Sequence, residues 1–170
     1  MKKENRNPKI HVSWCFKQKR GIKLEAPNDN LCDVYIKKAK SSLNMLESAT
    51  EKEEIDWIST TAYYARYFSF YALLQKCGIK SEIHDCTISL MQFLFVDENL
   101  IEQKYYDELL LAKELRVDTQ YYFAEEIDLN KLKRDSETAR SFVLNMEEVI
   151  ENLTVKQIEE IRNKLINARH

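Results

Sequence analysis

Glycine and proline are nearly missing from this chain. Its 170 residues hold two of each, and both prolines, Pro8 and Pro27, precede Asn28. Beyond Asn28 no proline interrupts a helix, which favours an all-α body. Long apolar runs are missing too. None reaches the roughly 18 residues of a bilayer span, and Arg66 interrupts the richest one, so no membrane segment is expected. The N-terminus is charged with no apolar stretch behind it, so no secretory signal is expected and the chain reads as cytoplasmic. There is no glycine-rich phosphate loop, no G-x-S-x-G, no H-E-x-x-H and no C-x-x-C pair. Most standard enzyme classes thereby lose their usual motif, and no cofactor is expected.

Four cysteines are present, Cys15, Cys32, Cys77 and Cys86. In a cytosolic chain of this size they read as reduced thiols, mostly small core residues. His11 and Cys15 would approach each other if their segment were helical, making half a metal site. No second half is visible, so no metal is expected.

Charge is uneven. Residues 1–24 carry eight Lys or Arg and a single acid, Glu4, while the whole chain has 26 basic and 28 acidic residues. The chain therefore divides into a basic arm, 1–27, and an acidic helical body, 28–170. In the arm, Ile10, Val12, Trp14 and Phe16 alternate with other residues, which predicts an extended segment with those four on one side. One reading has Lys and Arg meeting phosphates while Trp14 or Phe16 stacks on a base. The other has the apolar side locking the arm onto the body or a second subunit, and alternation favours it because one face must be buried.

The rest of the chain is organised around Glu54–Cys77. Ile55, Ile58, Ala62, Ala65, Phe68 and Ala72 recur at helical period, and Tyr63, Tyr64, Tyr67, Phe70 and Tyr71 widen the apolar surface beyond one face. Such a helix belongs at the centre of a bundle, and Gly78 suits the left-handed position that ends it. A helix before it starts at the caps Asn28, Asp29 or Asn30 and runs to about Ser48. Ser81 is the expected cap of a third helix to about Val96, with His84 in its first turn. A fourth runs from about Ile101 to Phe123, a fifth from Asp128 or Asn130 to about Leu153, and a short last one follows Thr154. The fold expectation is an up-and-down bundle of four to five main helices, plus a short C-terminal helix and the extended arm. Arg66, in the middle of the central helix, must snorkel, ion-pair or point into a subunit cleft.

The run Ala62-Tyr63-Tyr64-Ala65-Arg66-Tyr67-Phe68, then Ala72-Leu73-Leu74, Cys77-Gly78-Ile79-Lys80 and His84, resembles the HEPN domain family. Glu114-Leu115-Arg116 followed by Tyr121 resembles the R-x-x-A-D-Y segment of an uncharacterised prokaryotic branch. Trp14-Cys15, Gly21-Ile22, Pro27-Asn28, Leu31 and Tyr35 are similar to that branch's N-terminal extension. The resemblance covers roughly residues 14–153. It implies a helical bundle that dimerises around a shared polar cleft, and a nucleotide- or RNA-binding role beside a protein partner such as a minimal nucleotidyltransferase, as in toxin–antitoxin pairs. Many relatives are ribonucleases with an R-x(4–6)-H motif. Here the arginine would be Arg116, but Tyr121, Tyr122 and Phe123 fill the positions due a histidine.

That departure has a chemical meaning. Cleavage through the 2′-hydroxyl needs proton transfer near neutral pH, which suits histidine, whereas arginine stays protonated and tyrosine is a weak base substitute. Arg116 with Tyr121 suits phosphate binding and base stacking, with Arg66 and His84 expected in the same cleft, and efficient catalysis is not expected. Two alternatives stand beside this reading: a divergent metal-independent ribonuclease using His84, and a structural adaptor for protein partners.

Overall fold

The computed structural model describes residues 8–121 and 128–169. Seven helices and one pair of three-residue strands make up this part: α1 (Pro8–Phe16), β1 (Ile22–Leu24), α2 (Asp29–Glu51), α3 (Ile55–Lys76), β2 (Ile79–Ser81), α4 (His84–Met91), α5 (Gln103–Tyr121), α6 (Leu129–Asn152) and α7 (Val155–Asn167). The all-α bundle is as expected. Side-chain caps start three of its helices. Asn28 accepts from the Leu31 amide at 3.0 Å, Asp128 from that of Lys131 at 3.0 Å, and Thr154 and Gln157 form a reciprocal capping box.

Helix α3 is the axis, with Tyr63, Ala65, Phe70, Ala72, Leu73 and Leu74 fully enclosed. One apolar cluster surrounds its C-terminal half with residues from α1, α4, α5, α6 and α7, and a second packs its first turns against α2, α5 and α6. Each large side chain sealed this way contributes about 1.5–3 kcal/mol. Gly78 ends the helix at φ 67°, where a Cβ would lie 2.5 Å from both Arg162 Nη1 and the Glu25 carbonyl. Through this gap Arg162 donates to the carbonyls of Glu25, Cys77 and Gly78 at 2.9, 2.7 and 3.1 Å. The last helix thereby docks on the body, with Ile161 and Leu165 buried.

Four expectations are corrected. The segment expected to be extended is helical from Pro8, a residue suited to the first helical position. Its buried residues are Val12 and Cys15, with Phe16 partly buried, a helical spacing, while Ile10 and Trp14 stay exposed. A seven-residue alternation is too short to tell the two periods apart. The arm segment 8–16 does lock onto the body, but through a helix. Ser81 caps nothing: it lies in β2, paired antiparallel with Ile22 of β1, and α4 starts at His84 without a side-chain cap. A π-helical turn, Gln92–Val96, then extends α4. Helix α5 begins at Gln103 rather than Ile101, and Tyr122 and Phe123 lie outside the described residues. Finally, Cys15 and Cys86 are not reduced thiols but a disulfide joining α1 to α4, and only Cys32 and Cys77 are free.

Candidate functional site

Three hydroxyl-bearing rings on α3 form the floor of the candidate site. Tyr63 and Tyr67 are four residues apart and share a face, and Tyr64 stands beside them, with centroid distances of 5.4 Å (Tyr63–Tyr64) and 5.7 Å (Tyr63–Tyr67). The Gly78 turn and β2 return the chain so that α4 begins directly over this floor. His84, its first residue, stacks on Tyr67 at 4.3 Å and 15° and meets Tyr64 edge-on. Its Nδ1 lies 2.6 Å from the Tyr63 hydroxyl.

The direction of that hydrogen bond follows from burial. Tyr63 is fully enclosed, and desolvation pushes its phenol well above the ordinary range, so it keeps its proton. A buried hydroxyl hydrogen needs an acceptor, and His84 Nδ1 supplies it. The imidazole proton is then on Nε2, which becomes a donor. Burial, then Arg116 and then Lys113, hold His84 below its usual range, with Asp85 opposing.

Helix α5 supplies the charge. The Arg116 guanidinium lies 5.3 Å from the Tyr63 ring centroid and 5.1 Å from that of Tyr64, in cation–π contact with both. The side chain is half-buried, and its Nε is enclosed without a hydrogen-bond partner among the described residues. One turn earlier Lys113 pairs with Asp85 of α4. With Lys113 and Asp85 offsetting each other, the cluster keeps the positive charge of Arg116. It presents an arginine and an imidazole N–H on an aromatic floor, donors suited to an anion with planar or stackable parts.

The four residues singled out from sequence are placed differently. His84 and Arg116 come together over the tyrosines. Tyr121 is the last residue of α5 and 79% exposed; five positions from Arg116, it is turned about 140° around the helix. Arg66, expected beside His84, is instead fully enclosed. Its Nη1 donates to Asp135 Oδ2 at 3.2 Å and to the Ala62 carbonyl at 3.1 Å, and its Nη2 donates to Thr138 Oγ1 at 2.9 Å. Ion pairing, one of its three sequence options, describes it. Tyr63, Tyr64 and Lys113 were missed. The available signal was three tyrosines, rather than phenylalanines, at i, i+1 and i+4 of an otherwise apolar helix, since a buried phenol demands a polar partner.

The HEPN domain model matches residues 33–161, from α2 into α7, and so contains every residue of the cluster. The chain belongs to the HEPN domain family. Its general character is that of a nucleotide- and RNA-related helical module. A comparison with curated protein sequences finds no match. In this HEPN domain, α1 and β1 lie outside the matched range, so the disulfide joins a helix outside it to one inside. Among the described residues no helix is long and apolar enough to cross a membrane.

Proposed function

We propose that this HEPN domain binds a nucleotide or RNA through the cluster of Arg116, His84 and Tyr63, holding a phosphate without cleaving the chain efficiently. The observation that carries the reading is the guanidinium of Arg116, half-buried on two tyrosine rings near His84 and hydrogen-bonded to none of the described residues. Arg66, whose Nε also lacks a hydrogen-bond partner, donates through Nη1 and Nη2 to Ala62, Asp135 and Thr138, whereas the terminal nitrogens of Arg116 donate to none of the described residues and are left for a ligand. Tyr121, exposed at the end of α5, offers a face on which a neighbouring base can stack. The homodimer and the nucleotidyltransferase partner implied by the resemblance belong to the same proposal, and analytical ultracentrifugation of the purified chain tests the first.

The test of binding is fluorescence anisotropy of a labelled single-stranded RNA over a salt series. Wild type should bind with affinity that falls as salt rises, and Arg116→Ala should weaken it and reduce the salt slope by about one. Binding that ignores salt, or that Arg116→Ala leaves intact, would sink the reading. The ribonuclease alternative draws on the same two groups, His84 and Arg116. It requires broken RNA on a denaturing gel, lost in His84→Ala with the fold retained.

A further inference from the structure

Away from the tyrosine cluster, α1 and α4 bring three soft or borderline ligands to one point. His11 and Cys15 are four residues apart on one face of α1, and Cys86 faces them from α4. A ring nitrogen of His11 and the two sulfurs all lie within 4.8 Å of one another. Both cysteines are fully enclosed and the histidine is half-buried. The Ser89 hydroxyl, also on α4, is 2.6 Å from His11 Nδ1 and fixes the orientation of the ring. A second residue that orients the imidazole is a regular companion of metal-bound histidines.

We propose that, once the disulfide is opened, His11, Cys15 and Cys86 bind a zinc-class divalent cation. Tetrahedral zinc takes sulfur at about 2.3 Å and nitrogen at about 2.0–2.1 Å, which sets its ligand atoms about 3.5–3.8 Å apart. The histidine nitrogen is within reach of that spacing, and the sulfurs attain it by rotating apart when their bond is broken. The chemistry balances in two steps. A phosphine reductant, oxidised to its oxide with oxygen from water, delivers two electrons and two protons, and the disulfide becomes two thiols. The cation then displaces both thiol protons to solvent and binds the two thiolates and the imidazole. Two sulfurs and one nitrogen leave a fourth position, which water fills. Disulfide and metal are thus alternative clamps at the same point, one for oxidising and one for reducing conditions, and each ties α1 to the helix that begins with His84.

The molecule contains its own control. Cys32 and Cys77 are also buried, and burial pushes their thiols up to about 11 and about 12, but no histidine joins them in a ligand cluster among the described residues.

Cobalt(II) titration of the full chain, anaerobic and in the presence of the phosphine, decides the matter. The reduced wild type should take up one cobalt per chain, with sulfur-to-cobalt charge-transfer absorption and tetrahedral visible bands. Zinc should displace the cobalt and raise the melting temperature of the reduced protein. Cys15→Ser and Cys86→Ser should each lose the charge-transfer intensity, His11→Ala should weaken binding by about tenfold or more, and the Cys32→Ser, Cys77→Ser double variant should bind as wild type does. The oxidised chain should show none of this absorption. The reduced wild type involves no substitution, so its failure to bind cobalt overturns the proposal whatever the variants do. Undiminished charge transfer in Cys86→Ser overturns it equally.

Discussion

Arg66 and Arg116 carry the same guanidinium into the same bundle, and their surroundings divide their roles. Arg66 has no exposed surface and sits among Asp135, Thr138 and the Ala62 carbonyl, with Phe142 6.0 Å from its guanidinium carbon. Glu108 approaches its Nε at 3.9 Å. Burial pulls the Arg66 charge and the Asp135 charge toward neutrality, and each supports the other against that pull. Among the described residues Arg116 has no carboxylate partner in contact, and it rests on aromatic faces instead. The first arginine fastens α3 to α6. The second is positioned but unspent, which is the condition for binding something else. Both side chains leave Nε without a hydrogen-bond partner, so the difference lies in the terminal nitrogens, which are bonded in Arg66 and not bonded to any described residue in Arg116.

The comparison breaks most forcefully at Asp135. Asp135→Ala leaves a buried cation unpaired and should cost about 3–5 kcal/mol in urea unfolding. Replacing both partners together, Arg66→Met with Asp135→Leu, should recover most of that loss, because two apolar side chains require no desolvated charge. If the single and double variants lose the same stability, Arg66 is not held as a buried ion pair. Next in size is Arg116→Ala. RNA affinity should fall by about tenfold or more, while stability changes by no more than about 1 kcal/mol, the scale of its ring contacts. A large loss of stability there would make the two arginines alike.

Smaller effects sharpen the picture of the tyrosine cluster. Tyr63→Phe removes the hydroxyl that His84 Nδ1 accepts from, and should cost about 0.5–1.5 kcal/mol. It should also weaken RNA binding less than Arg116→Ala does, because it unpins the imidazole without removing the charge. Tyr121→Ala, at an exposed site, should leave stability within about 0.5 kcal/mol. Its effect should appear only in affinity, as a loss of up to about tenfold if a base stacks there.

Much of the bundle was legible in the sequence because its signals are local. The caps Asn28, Asp128 and Thr154 bond to amides three residues ahead, and the apolar period of α3 needs no partner to be seen. The N-terminal helix was not legible, since Ile10 to Phe16 is too short to separate a period of two from one of 3.6. The disulfide joins residues 71 positions apart, and no spacing rule announces such a pair. The half metal site at His11 and Cys15 was visible on the condition that the segment be helical; its complement, Cys86, depends on how α4 packs. At the tyrosine cluster, sequence supplied Arg116 and His84 as chemically apt residues. It did not supply Tyr63, whose hydroxyl fixes the imidazole, and it placed Arg66 beside His84. Both points turn on which face of α3 meets α6 and which meets α4.

Under the proposed function Arg116 meets a phosphate ligand, whereas Arg66 is held by Asp135 and Thr138. The most direct measurement is a labelled RNA incubated with wild type or Arg116→Ala and split between native and denaturing gels. Retarded but intact RNA is expected with the wild type and unretarded RNA with the variant. Equal retardation by both proteins, or none by the wild type, would contradict it.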